Sequence, residues 1–255
     1  MLTFFKQQRQ SRALITAFIF LTRLPMPQLD EISPQDSGRA LPMFPWVGLA
    51  IGTIIALSAW LLSSLFPPQI VAALTLITWV LCSGGLHIDG LADSADGWLS
   101  GASGERLLNI MKDPHCGSAG VMMVVLLLIA KFSALSHLIE QGFFWPLMIA
   151  PLIGRAAPLG LFLTTPTVNP TGLAQYFIEY ASLNALKKSI TAALLICIVV
   201  LNWQVGLLCI AVSAIVISAL RQLMLARLGG HTGDTLGATI EVTELCVLIA
   251  ATAYI

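Results

Sequence analysis

Long apolar runs separated by short polar breaks organise this chain. Seven stretches read as membrane-spanning helices by length and apolarity, at about 43–66, 69–88, 118–139, 144–164, 188–202, 203–221 and 236–255. Most approach the ~20 residues that carry a helix across a bilayer. A shorter run, Ala13–Leu21, follows Lys6, Arg9 and Arg12 and ends at Arg23-Leu-Pro-Met-Pro27. It reads as an interfacial or half-inserted helix held at a charged membrane face. Ser33-Pro34-Gln35-Asp36 then combines an N-cap serine, proline at the first helical position and an acid in the first turn, which predicts a short helix or helix start.

The polar breaks fall into two sets. The turns at Pro67-Pro68, 139–144 and Asn202-Trp203-Gln204 lack lysine and arginine, whereas the opposite loops carry Arg39, Arg106, Lys112, Lys187, Lys188, Arg221 and Arg227. The positive-inside rule makes the second side cytoplasmic. Of 13 basic residues only Lys131 and Arg155 fall in the interior of a span, Lys188 and Arg221 standing at span ends, and of 13 acids only Glu140 lies on the outer side. Such asymmetry fits a site for a cytosolic polar substrate better than a transport path, which would place ionisable groups along the midplane.

Composition agrees. The chain is 57% hydrophobic and 10% charged, with a mean hydropathy of +0.87, against roughly 25% charged in soluble domains. The expected fold is all-α, a polytopic membrane helix bundle of about seven transmembrane helices with short interfacial helices. Residues 1–255 form one integral-membrane domain, with 1–42 as a cytoplasmic or interfacial segment and 89–117 and 222–235 as cytoplasmic active-site segments. A net charge of zero gives no argument for nucleic acid. Cys82, Cys116, Cys197, Cys209 and Cys246 are scattered without a C-x-x-C pair, and all but Cys116 lie in apolar runs and read as packing residues. No internal repeat or signal-peptide cleavage pattern stands out.

Chemistry concentrates in Gly84–Gly101, which holds His87, Asp89, Asp93 and Asp96. Spacing of i, i+4, i+7 puts the three aspartates within roughly 60° on a helix. Carboxylates so placed repel unless a cation lies between them, and Mg²⁺, which prefers hard oxygens and shares them with substrate phosphates, is the natural one. The alternative is a solvated acidic turn.

A second stretch, Gly229-Gly-His-Thr-Gly-Asp234, opens the last span, and Asp234, Glu241 and Glu244 enter that helix. Carboxylates in a membrane helix are functional candidates, although pairing with an arginine is the plainer use. Gly229, Gly230 and Gly233, with Thr232 among them, permit a backbone cradle for phosphate at a helix start. In a third stretch, Glu105–Met111 reads as an amphipathic surface helix stopped by Pro114. Its Arg106, with Lys112 and Asp113, suits phosphate and metal respectively, yet taken alone these are ordinary surface charges. Arg155 lies mid-span and requires a carboxylate or a substrate phosphate. Lys131 requires the same or snorkels outward, and His137 reads as interfacial.

These residues resemble the cobalamin synthase family, the adenosylcobinamide-GDP ribazoletransferases. The likeness runs through Phe20-Leu-Thr-Arg-Leu-Pro-Met-Pro27, Arg39 with Phe44-Pro-Trp-Val-Gly48, and Gly84-Gly-Leu-His-Ile-Asp-Gly-Leu-Ala-Asp-Ser-Ala-Asp-Gly97. It continues at Arg106, Ile110-Met-Lys-Asp113, Gly117, Arg155, Gly230-His-Thr-Gly-Asp-Thr-Leu-Gly-Ala238, Glu241 and Glu244. His115-Cys116 and His231 depart from it, standing where the family often has arginine with an apolar residue, and glutamine. The resemblance implies a Mg²⁺-dependent enzyme of the bacterial inner membrane, with its N-terminus and site cytoplasmic. It would join adenosylcobinamide-GDP to α-ribazole or its 5′-phosphate with release of GMP. Asp89, Asp93 and Asp96 would hold Mg²⁺. Asp113, Asp234 or Glu241 would be further ligands or the base, His87 a weaker base candidate, and Arg106, Lys112 and Arg155 phosphate clamps. Partners would be the two substrates and the lipid bilayer, with a homo-oligomer left open. Rival readings are a CDP-alcohol-type phosphotransferase, whose Ala-Arg pair after the first Asp-Gly is missing here, and a cation-coupled transporter. The metal reading further requires the Asp89–Asp96 and Asp234–Glu241 helices to meet.

Overall fold

The computed structural model describes residues 2–168 and 177–254. Its helices are α1 (Leu2–Leu21), α2 (Pro34–Ala40), a 3₁₀ turn (Leu41–Met43), α3 (Phe44–Leu62), α4 (Pro68–Ser83), α5 (Leu86–Leu99), α6 (Gly104–Met111), α7 (Ser118–Glu140), α8 (Trp145–Thr164), α9 (Leu183–Leu201), α10 (Trp203–Leu228) and α11 (Gly233–Thr252). Among the described residues the only β feature is a bridge between Thr167 and His231. Six helices are long and apolar enough to cross a membrane, or seven if α4 and α5 together form one span. The chain is a multi-pass helical bundle, as the apolar pattern predicts.

Local signals explain most helix ends. Ser33 accepts from the Asp36 N–H while the Asp36 carboxylate accepts from Ser33, a reciprocal cap that starts α2. Arg12 donates to the same carboxylate at 3.1 Å and to the Glu31 carbonyl at 2.8 Å, which ties α1 to the start of α2. The side chains of Lys6 and Arg9 lie outside the described residues. The apolar run expected at Ala13–Leu21 is the second half of the longer α1, whose Ala13, Ala17 and Leu21 are buried.

One expected span is wrong in shape. The 69–88 run is not a single rod, because Gly84 and Gly85 both adopt the left-handed conformation, with φ of 69° and 74°. Gly84 closes α4 and Gly85 opens α5, and the chain turns 89° between them. Two adjacent residues with positive φ end a helix and favour glycine strongly. The Arg23 side chain lies against this elbow, so a Cβ on Gly84 would stand 2.3 Å from its Cγ.

Burial ranks the helices. In α8 and α11, 78% and 72% of the apolar stretch is buried, against 22–28% in α7, α9 and α10. The first pair forms the centre, and the others present faces such as Val199 and Ile215, 80% and 68% exposed, to the surroundings. An apolar side chain so exposed on a long apolar helix suits lipid. Two basic residues on α10 finish helix ends elsewhere: Arg221 donates to the Thr164 carbonyl at 2.8 Å, and Arg227 to the carbonyls of Ala102 and Trp98. Cations belong at these carbonyl-rich ends, and Arg227 thereby fixes the far end of α5.

Candidate active site

The helices α5 and α11 meet, as the metal reading requires. Gly90 lies against the Asp234 backbone, so closely that a Cβ there would come within 2.8 Å of its carbonyl oxygen, and Gly237 faces the His87 backbone. Beside this crossing opens a cavity of about 590 Å³. Asp89, Asp234, Thr232, Gly233, Lys112 and His87 line it, with apolar walls from Phe20, Phe44, Phe162, Phe177 and their aliphatic neighbours. Asp89 is exposed and Asp93 and Asp234 are half-buried. Asp93 feels the charges of Asp89, Asp234 and Asp96. Among the described residues none of Asp89, Asp93 and Asp234 forms an ion pair within 4 Å.

The third aspartate of the motif is used differently. Asp96 accepts from the Gly117 N–H at 2.7 Å and the Gly120 N–H at 2.8 Å, which makes it the cap of α7. Gly117 has no side chain to cap its own helix, and a Cβ at either glycine would lie under 3 Å from the Asp96 carboxylate. An acid from another helix thus satisfies two orphan N–H groups and meets the positive end of α7.

Glu241 and Arg155 also depart from expectation. Lys131 donates to Glu241 at 2.6 Å and to Glu244 at 2.7 Å, and Arg155 pairs with Glu244. All four are at most 2% exposed, and the Lys131 ammonium lies 4.5 Å from the centre of the Trp79 ring. Two cations and two anions sum to zero, so the tetrad is tolerated in an apolar interior. None of the four lines the cavity. Glu241 and Arg155 therefore join α7, α8 and α11 rather than facing the opening where ligand and clamp were expected. The carboxylate alternative for Arg155 is the one realised.

The remaining candidates divide likewise. Lys112 lines the cavity, whereas Arg106 and Asp113 are exposed and do not. Asp113 accepts from the His115 backbone N–H at 2.9 Å and contacts its ring at 2.8 Å, which holds the carboxyl below its ordinary range. Thr232 caps α11, accepting from Thr235 N–H at 3.2 Å. Gly230 serves packing, since a Cβ there would meet the Pro166 carbonyl at 2.3 Å. Its neighbour His231 donates its backbone N–H to that carbonyl and accepts from Val168 through its own. The fully buried His231 ring has no hydrogen-bond partner among the described residues, and burial pushes its pKa down to about 4. Sequence reasoning missed Thr167, Val168, Phe162 and Phe177, all of which line the cavity. Phe20 and Phe44 entered only within motif strings, and nothing local marks any of them as a cavity wall.

A family model described as Cobalamin-5-phosphate synthase matches residues 13–252. The chain belongs to the cobalamin-5-phosphate synthase family. It is 46% identical over 234 residues to the adenosylcobinamide-GDP ribazoletransferase of Pseudomonas syringae, covering 91% of this chain and 96% of the relative. It is 47% identical to the protein of that name from Pseudomonas putida, covering 91% and 95%. With that from Pseudomonas fluorescens it shares 43% over 242 residues, covering 93% and 98%. No solved structure matches. The matched span contains α5, α11 and every cavity wall.

Proposed function

We propose that this chain is a membrane transferase that joins adenosylcobinamide-GDP to α-ribazole, or its 5′-phosphate, late in coenzyme B12 synthesis. One observation carries the reading: acids without cationic partners, from two helices that cross at Gly90, stand beside a roomy cavity in a chain of this family. In the reaction a ribose hydroxyl oxygen forms a bond to the phosphorus nearest the cobinamide. The bond from that phosphorus to the GMP oxygen breaks, GMP leaves, and the hydroxyl proton passes to a base.

Mg²⁺ fits the donor set. No three acids or histidines among the described residues form a ready-made cage, but Mg²⁺ commonly takes one or two carboxylates and completes its shell with water and substrate phosphate. Asp89 and Asp234 are the residues that would hold it, with Asp93 beside them. When bound, the ion would neutralise the diphosphate and the charge growing on the departing GMP. Lys112 supplies a cation at the cavity for phosphate oxygens, and the N–H groups at the start of α11 add a partial positive charge. An unpaired carboxylate at this mouth would accept the hydroxyl proton. The basic loops support a cytoplasmic site, where both substrates are met, in a bacterial inner membrane.

The test is GMP release by the purified chain given adenosylcobinamide-GDP, α-ribazole and Mg²⁺. Turnover with both substrates, and none with CDP-diacylglycerol and an alcohol, is expected. CMP release from the second mixture, with none from the first, would overturn the reading in favour of a CDP-alcohol phosphotransferase.

A further inference from the structure

The two proposed substrates differ greatly in size and polarity, and the cavity distinguishes them. Its volume of about 590 Å³ lies within the roughly 300–1,000 Å³ that encloses one drug-sized molecule. A corrinoid joined to a guanine nucleotide is several times larger than that. The walls are mostly apolar and unusually aromatic. Phe20, Phe44 and Phe177 form one mutual cluster, with ring centres 5.0–5.9 Å apart, and Phe162 lines the wall as well. Charge is restricted to Asp89, Asp234 and Lys112, leaving His87 and Thr167 among the few uncharged polar side chains. His87 is 3% exposed, and its Nδ1 has no partner among the described residues.

We infer that this cavity is the acceptor subsite, which encloses the base of the ribazole nucleoside and leaves the corrinoid nucleotide outside at the acidic mouth. The inference rests on the transferase reading. A dimethylated benzimidazole is an apolar bicycle with one bare ring nitrogen, which matches aromatic walls carrying a buried imidazole. Guanine has too many donors and acceptors for these walls, because each unpaired polar group taken from water is costly. With the base inside, its ribose reaches the Asp89–Asp234 rim, where a hydroxyl meets the diphosphate of a donor approaching from solvent.

The arrangement separates the two substrates kinetically. Phe20→Ser, at a ring already 39% exposed, makes the wall polar with little risk to folding. Leu236→Phe narrows the cavity from another side, so at least one variant should remain well folded. In both, KM for α-ribazole should rise about tenfold while KM for adenosylcobinamide-GDP stays within twofold. Equilibrium dialysis of the full-length protein in detergent supplies the second readout. Without donor, α-ribazole should bind wild type and be retained about tenfold less by the variants, and excess GMP should not displace it. A rise in donor KM alone, displacement by GMP, or unchanged α-ribazole binding in both variants would overturn the subsite. Loss of α-ribazole to phospholipid, with variants indifferent, would overturn it in favour of a lipid-filled cavity. Absence of GMP release by wild type that still retains the nucleoside would refute the transferase reading, and the acceptor role with it, while leaving the cavity as a nucleoside-binding site.

Discussion

Two sets of acids, about two turns apart along α11, have opposite fates. Asp234 and Asp89 line the cavity, with the half-buried Asp93 of α5 feeling their charges, and none of the three has a cation within ion-pair range among the described residues. Glu241 and Glu244 are buried and bound by Lys131 and Arg155. A buried carboxylate must be neutralised by the protein itself, whereas one at an opening can remain unpaired until a ligand brings the cation. The first kind holds helices together, and the second is available for chemistry.

Substitutions break the comparison in a defined order. Lys131→Met should have the largest effect, since it leaves two buried glutamates to share one arginine. Removing one partner of a buried pair costs about 3–5 kcal/mol, so thermal unfolding in detergent should show a large loss or no folded protein. Lys131→Met combined with Glu241→Gln restores neutrality and should recover much of that stability. Asp89→Asn and Asp234→Asn should do the reverse. Unfolding should be unchanged or slightly later as repulsion falls, while GMP release drops by about 10²–10³, the scale of losing one stabilising group at a developing charge.

These contrasts were only partly legible in the sequence. Hydropathy and the positions of lysine and arginine gave the bundle and most helix ends, because both follow from local composition. The cap at Ser33 and the amphipathic α6, whose Leu107 and Met111 are buried, are local as well. The elbow was not read, since two glycines barely interrupt an apolar run and their left-handed angles leave no mark on hydropathy. Asp96 shares a helix face with Asp89, but seven residues separate them by about 10 Å along the axis. That distance brings Asp96 to α7 instead. The Lys131–Glu241 pair joins residues 110 apart, and no short-range pattern announces it.

Two smaller effects sharpen the picture. His231 is held neutral by burial, with a pKa of about 4 against roughly 6.5 in the unfolded chain. Below pH 6.5 the unfolded state binds the extra proton, so stability should fall as pH drops from 6.5 to 4 and show no His231-linked change above that window. His231→Gln should flatten this part of an unfolding-versus-pH curve. Asp96→Asn keeps one acceptor for the α7 cap and loses the charge. It should cost about 1 kcal/mol and speed amide exchange at Gly117 and Gly120, with GMP release far less affected than in Asp89→Asn.

The most direct test of the division between the two sets is metal binding itself. Mn²⁺ in place of Mg²⁺, with GMP present, can be followed by electron paramagnetic resonance in wild type, Asp89→Asn, Asp234→Asn and Glu241→Gln, each first shown to be folded. Bound Mn²⁺ should persist in Glu241→Gln and weaken at least tenfold in both aspartate variants. Loss of the ion in Glu241→Gln, with full retention in the aspartate variants, would contradict the account.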